Sequence, residues 1–167
     1  DELQARIDAA GSSFNAGTNL SQLYKSGKIP FAYNYYKQSY NPAHDSSAHG
    51  SHVAGIAAGN NGSNFKGVAP DAQLIVMHVF QPSGGAAWTE ILSALEDCAY
   101  LGVDSANMSL GSSCGFTNYN GYGYEESFAL LRQAGVNLSV AAGNDEDATV
   151  GNRWGSGRQI AYNPDYG

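Results

Sequence analysis

The run HGSHVAGI at residues 49–56 sets His49 and His52 three positions apart among small side chains. An imidazole, with an unperturbed pKa of about 6.5, can ligate a metal or carry a proton near neutrality. Three chemistries are open to the pair: metal ligation, a catalytic base beside a neighbour, or two structural histidines at a helix start. Zinc motifs on helices place two histidines four apart with a glutamate between them; here the gap is three and no glutamate intervenes. A zinc site would also have to recruit His44 and Asp45, because such sites need three or four converging ligands. Further polar groups stand at two glycine-marked stretches, Ser109-Leu110-Gly111 and Gly143-Asn144. The acidic run Asp145, Glu146, Asp147 offers loop oxygens of the kind calcium accepts, or simply a solvated loop. Cys98 and Cys114 follow no metal or redox spacing, and Cys98 falls in a helical pattern that suits core packing.

The elements that must position these residues follow from periodicity. Residues 1–29 are polar, with a weak helical pattern in Leu3, Ile7 and Ala10, a loop over GSSFNAGTN and a short helix around Leu20–Lys25. IPFAYNYY (29–36) is aromatic-rich and bounded by Gly27 and Pro42, which predicts a strand. HVAGIAAG predicts a helix pressed closely against a sheet, entered through Asp45, Ser46 and Ser47 as caps. QLIVMHVF (73–80) is a continuous apolar run of the kind buried in parallel sheets. WTEILSALEDCAYLG (88–102) puts Ile91, Leu92, Leu95, Cys98 and Ala99 on one helical face, with Thr89 as N-cap and Gly102 as the stop. VDSANMSLG (103–111) predicts a strand, YEESFALLRQAG (124–135) an amphipathic helix ending on glycine, and VNLSVAAGN (136–144) another strand. This alternation is the signature of an α/β fold with right-handed crossovers in a mostly parallel sheet flanked by helices. In such sheets ligands gather at the carboxyl ends of strands, where SLG and AAGN fall.

The chain has 167 residues, suited to one α/β unit with a real core. Apolar content of 43% marks it as globular, and no stretch approaches a membrane span. Charged residues make up only 14%, so the bulk polarity is uncharged, a composition associated with secreted bacterial proteins. Net charge is −7, and the eight basic residues are scattered without a stripe to neutralise phosphates, which argues against nucleic-acid binding. The chain opens at Asp1 with neither an initiator Met nor a signal peptide, and reads as a piece of something longer.

HGSHVAGIA resembles, position by position, the histidine signature of the subtilisin-like serine proteases (subtilases), usually His-Gly-Thr-His-Val-Ala-Gly; Ser51 replaces the commoner threonine. GVAP (67–70) with LIVMHVF resembles the family's next strand, ANMSLGS (106–112) its substrate-pairing strand, and SVAAGND (139–145) its oxyanion asparagine stretch. Four motifs in the family's order span residues 44–145. The resemblance implies a three-layer subtilisin-like fold, present here in part. It implies His49 as general base, passing a proton from a serine hydroxyl to the leaving amine, with His52 structural. Asn144 would donate its amide to the oxyanion, a contact whose loss typically costs about 10²–10³ in turnover. Ser109, Leu110 and Gly111, with Gly143, would line the substrate, the first three offering main-chain groups to an extended peptide. Gly50 and Gly55 would leave room for substrate and for close helix–sheet contact. His78 stands where relatives often carry lysine and reads as a partly exposed surface histidine. Ser105 and Ala106 replace two bulky aliphatics of a buried strand, a change that in a core costs about 2–5 kcal/mol.

Two parts of the triad are missing. ARIDAAG (5–11) holds Asp8, but its charged lead-in DELQAR is no buried strand, so the orienting aspartate is expected ahead of Asp1. The Gly-Thr-Ser-Met-Ala nucleophile motif is absent from the chain. IPFAYNYY and YNPDYG (162–167) resemble the large cell-envelope proteinases of the lactocepin type, in which a protease-associated domain is inserted before the serine. Residues 1–43 are therefore expected as a loop- and helix-rich lead-in, and 44–167 as the central part of the catalytic domain, ending before the serine segment. The resemblance implies a secreted or wall-anchored bacterial endopeptidase acting on peptide or protein substrates. It would need no cofactor, with calcium as a stabiliser of the intact protein, and its partners would be the remainder of its own domain and an inserted one. Two rivals remain at this point: a catalytically dead pseudoprotease or peptide-binding module, and a metal protein built on His44, Asp45, His49 and His52.

Overall fold

The parallel pairing that the alternation of apolar runs and amphipathic segments predicts is present, in two separate ladders. The computed structural model describes residues 2–43, 47–111 and 124–141, and the chain divides into two units, Asp1–Leu101 and Gly102–Gly167.

In the first unit the polar amino-terminal stretch forms α1 (Glu2–Ala10), a 3₁₀ turn (Gly11–Ser13) and the single-turn α2 (Leu20–Leu23). This segment contributes to the core: Ile7 is 1% exposed, and Phe14 and Leu23 are buried. β1 (Phe31–Asn34) is buried at all four positions, so both of its faces are covered. α3 (His49–Ala58) follows. A short antiparallel hairpin, β2 (Asn60–Asn61) with β3 (Phe65–Lys66), lies in the polar stretch NNGSNFK, where no apolar alternation announces it. β4 (Ile75–His78) then pairs in parallel with β1, Phe31 opposite Ile75 and Asn34 opposite His78. Parallel strands require a crossover, and α3 with the hairpin is that crossover. The expected lead-in and central segment thus share one ladder.

The unit closes with α4 (Trp88–Leu101), which packs against α1. Its buried face is Ile91, Ala94, Leu95, Asp97, Cys98 and Leu101. The expected stripe is therefore rotated: Leu92 and Ala99 are only half-buried, and a carboxylate takes a core position. Thr89 is not the N-cap, because the helix already starts at Trp88 and the Thr89 hydroxyl turns to the Glu90 carboxylate at 2.8 Å. Gly102 does stop the helix, with φ of +63°.

The second unit holds β5 (Ser105–Met108), α5 (Tyr124–Gln133) and β6 (Asn137–Val140), with β5 and β6 parallel and α5 against β6. Phe128 and Leu131 are buried on α5. Its end is a Schellman closure: the Val136 N–H donates to Leu131 O at 3.0 Å and the Gly135 N–H to Arg132 O at 3.1 Å, with Gly135 at φ +76°. Ser105 is exposed and its hydroxyl donates to Asn137 O at 3.1 Å. The core cost expected of this serine does not arise within the described residues, because the side chain stands outside the packed face.

Candidate active site

α3 begins at the histidine run itself. Its N-cap, Ala48, has no side chain to offer, and the Ser47 hydroxyl accepts the His49 N–H at 3.2 Å instead. Of the three expected caps Ser47 alone can be assigned, since Asp45 and Ser46 lie outside the described residues. His49 is the first helical residue and is exposed; His52, one turn on, is exposed as well. An exposed imidazole at a helix start is placed to meet a substrate, and neither histidine is buried.

The other end of α3 is fastened by the returning chain. Val68 donates to Ile56 O at 2.9 Å, Ala69 to Ala57 O at 2.8 Å and Gly67 to Gly59 O at 2.8 Å. These bonds satisfy carbonyls that a helix end leaves without partners. The approach depends on Gly67, where a Cβ would lie 2.6 Å from Gly55 O and 2.8 Å from Ile56 O. The close contact that the sequence suggested for Gly50 and Gly55 is made here; nothing lies within 4 Å of a Cβ at Gly50. Lys28 holds the next stretch, its ammonium donating to Pro70 O at 2.6 Å and to Ala72 O. Among the described residues α3 is not pressed against a sheet as expected: only Ala58 is buried, while Ile56 is 64% exposed, and Phe65 and Val68 are also exposed.

Two polar groups missed by the sequence reading organise the unit around α3. Asp97, fully buried on α4, accepts from Asn15 N and Ala16 N, both at 2.8 Å, from Asn15 Nδ2 at 3.1 Å and from the Tyr35 hydroxyl at 2.8 Å. Burial pushes its carboxyl above the usual range, although the four donors act in the opposite direction. Tyr35 is raised in turn by burial and by the Asp97 charge, and burial pushes the neighbouring Cys98 thiol up to about 12. The signal in the sequence was an acidic residue three after Ala94 and four before Leu101, on the apolar side of α4. The second group is His78. It is half-buried, with both ring nitrogens 2.8 Å from main-chain carbonyls, Nδ1 from Pro42 O and Nε2 from Phe80 O. It is partly exposed, as the sequence suggested, and what the sequence did not show is that both ring nitrogens are engaged.

Of the expected substrate-binding residues, Ser109, Leu110 and Gly111 come together where the chain leaves the carboxyl end of β5 in the second unit. Ser109 and Leu110 are half-buried and Gly111 is exposed. The Ser109 hydroxyl accepts from Asn107 Nδ2 at 2.9 Å, and Ala141 N donates to Met108 O at 3.0 Å, extending the ladder past Val140. Gly143, Asn144, the acidic run 145–147 and Cys114 lie outside the described residues, as do His44 and Asp45, which the metal reading requires. Among the described residues no three His, Cys, Asp or Glu side chains converge. Asp8 sits on the exposed side of α1, accepting from Gln4 Nε2 at 2.7 Å, and not at a buried strand end. No helix among the described residues is long and apolar enough to cross a membrane.

Residues 16–164 match the profile of the subtilase family. The chain is 40% identical over 102 residues to the PII-type proteinase of Lactococcus lactis subsp. cremoris, covering 55% of this chain and 5% of that protein. It is 36% identical over 132 residues to Subtilisin DY of Bacillus licheniformis, covering 77% of this chain and 43% of the relative. It is 36% identical over 106 residues to Subtilisin E of Bacillus subtilis, covering 63% of this chain and 26% of the relative. The chain therefore spans less than half the length of each of these relatives.

Proposed function

This chain belongs to the subtilase family, and from that premise we propose that it is the central part of the catalytic domain of a serine endopeptidase. The observation that carries this reading is the placement of His49: an exposed imidazole on the first turn of a helix whose far end is locked by the GVAP segment.

In the intact protein His49 takes the proton of a serine hydroxyl as the serine oxygen attacks the scissile carbonyl. It then returns that proton to the leaving amine, and water releases the acyl group by the same exchange in reverse. Asn144 supplies an oxyanion donor, while Ser109, Leu110 and Gly111, together with Gly143, present main chain to an extended peptide. The serine motif does not occur in residues 1–167, and no buried aspartate strand occurs among the described residues; in this reading both belong to other parts of the domain, and the reaction needs no cofactor. The intact enzyme acts outside the cell, secreted or wall-bound, a reading supported by the low charge content of 14% and by the likeness to the lactococcal proteinase.

In the full-length protein, His49→Ala is expected to lower kcat by about 10⁴-fold or more while leaving the unfolding midpoint in place. Peptide hydrolysis at the parental rate would overturn the assignment. The pseudoprotease alternative drew on Ser105 and Ala106 and on the missing triad residues; the exposure of Ser105 answers only the first of these, and a Gly-Thr-Ser motif in the flanking sequence decides between the two.

A further inference from the structure

The His78 ring, at the carboxyl end of β4, reaches two carbonyls at once. A carbonyl oxygen only accepts, so each contact requires an N–H on the ring nitrogen that faces it. Neutral imidazole carries one N–H and imidazolium two. From β1 the Asn34 amide nitrogen stands 3.5 Å from Nδ1, at the outer limit of a hydrogen bond, whereas 2.8 Å to Pro42 O is a full one. The shorter contact governs, and Nδ1 is a donor.

Pro42 belongs to the linker between β1 and α3, the stretch that delivers the chain to His49. Lys25 Nζ holds the same linker at Tyr40 O, 2.8 Å away. We infer that His78, as a two-donor group, clamps this linker to the end of β4 and is thereby a positioning residue for the His49 imidazole. The role assigned to His49 rests on the function proposed above; the clamp itself rests on the two contacts. A displacement of about 1 Å in a reacting group can cost about 10² in rate, so a slack linker would be read in kcat.

The test uses the full-length protein with His78→Phe, which keeps a ring and loses both donors, and His78→Lys, which keeps a multiple donor. Hydrogen exchange over residues 40–43 and 47–48, and kcat and KM for a peptide substrate, are measured. His78→Phe is expected to speed exchange of the linker by about tenfold and to lower kcat by about 10–10² with KM little changed. His78→Lys is expected to restore both. Unchanged exchange in His78→Phe overturns the clamp, and so does a Lys variant as slack as the Phe variant. If the parent hydrolyses no peptide, exchange still decides the clamp, and the failure falls on the proposed function alone.

Discussion

Asp97 is held by four hydrogen bonds from uncharged groups and joins segments that are 81 and 62 residues away in sequence. Removing the carboxylate would orphan two main-chain N–H groups and a phenol, each costing about 1–3 kcal/mol if left buried. Asp97→Ala is therefore expected to destabilise the protein by about 3 kcal/mol or more, read from denaturant midpoints. Tyr35→Phe should cost about 1 kcal/mol in the parent and less in the Asp97→Ala background, since the two groups share one contact. The pH dependence has a definite sign. Burial raises the Asp97 carboxyl, so just above the ordinary carboxyl range the folded state keeps a proton that the unfolded chain has lost. That contribution to stability is full below the ordinary range and is lost as pH rises through the raised value. The stability difference between parent and Asp97→Asn should fall with pH across that window and level off above it. None of this was visible in the residue itself; only its place on the apolar side of α4 hinted at burial.

The elements were largely readable, and their partners were not. Apolar runs at 29–36 and 73–80 place β1 and β4, and the 3.6 period over 88–102 places α4, because these signals are local. Which strand pairs with which is a long-range choice, and the rotation of the α4 face toward Ala94 and Asp97 depends on what α1 and the Asn15 loop bring to it. The contact between α3 and GVAP shows the same limit. The sequence marked the glycines, yet only the return of the chain shows that Gly67, unlike Gly50, has no room for a Cβ. Gly67→Ala is expected to cost about 1–3 kcal/mol, since every nearby atom is backbone and cannot swing aside. Gly50→Ala, in open space on α3, should leave the unfolding midpoint unchanged or raise stability by up to about 1 kcal/mol. Equal losses in the two variants, measured by thermal unfolding, would contradict this account.

As a whole the chain carries the proposed base, His49, and no Gly-Thr-Ser nucleophile motif. Residual catalysis in serine hydrolases lacking triad members comes from an assembled oxyanion hole and substrate cleft. The expectation is that the 167-residue chain, purified by itself, takes no covalent label from a fluorophosphonate probe. Labelling abolished by a single serine substitution would overturn that expectation. The exposed apolar side chains Ile56, Phe65 and Val68 around α3 belong to the same picture, a helix of mostly small and apolar residues with one side uncovered.

The sequence by itself determined the family and the identity of the candidate base. Short motifs such as HGSHVAGI and SLG are dictated by chemistry that needs those residue types at that spacing, wherever they fold. Tertiary structure decided that both histidines are exposed, that Gly67 rather than Gly50 makes the close approach, and that Asp97 and His78 are fasteners. Those outcomes depend on groups brought together from distant parts of the chain, and a local pattern carries no record of them.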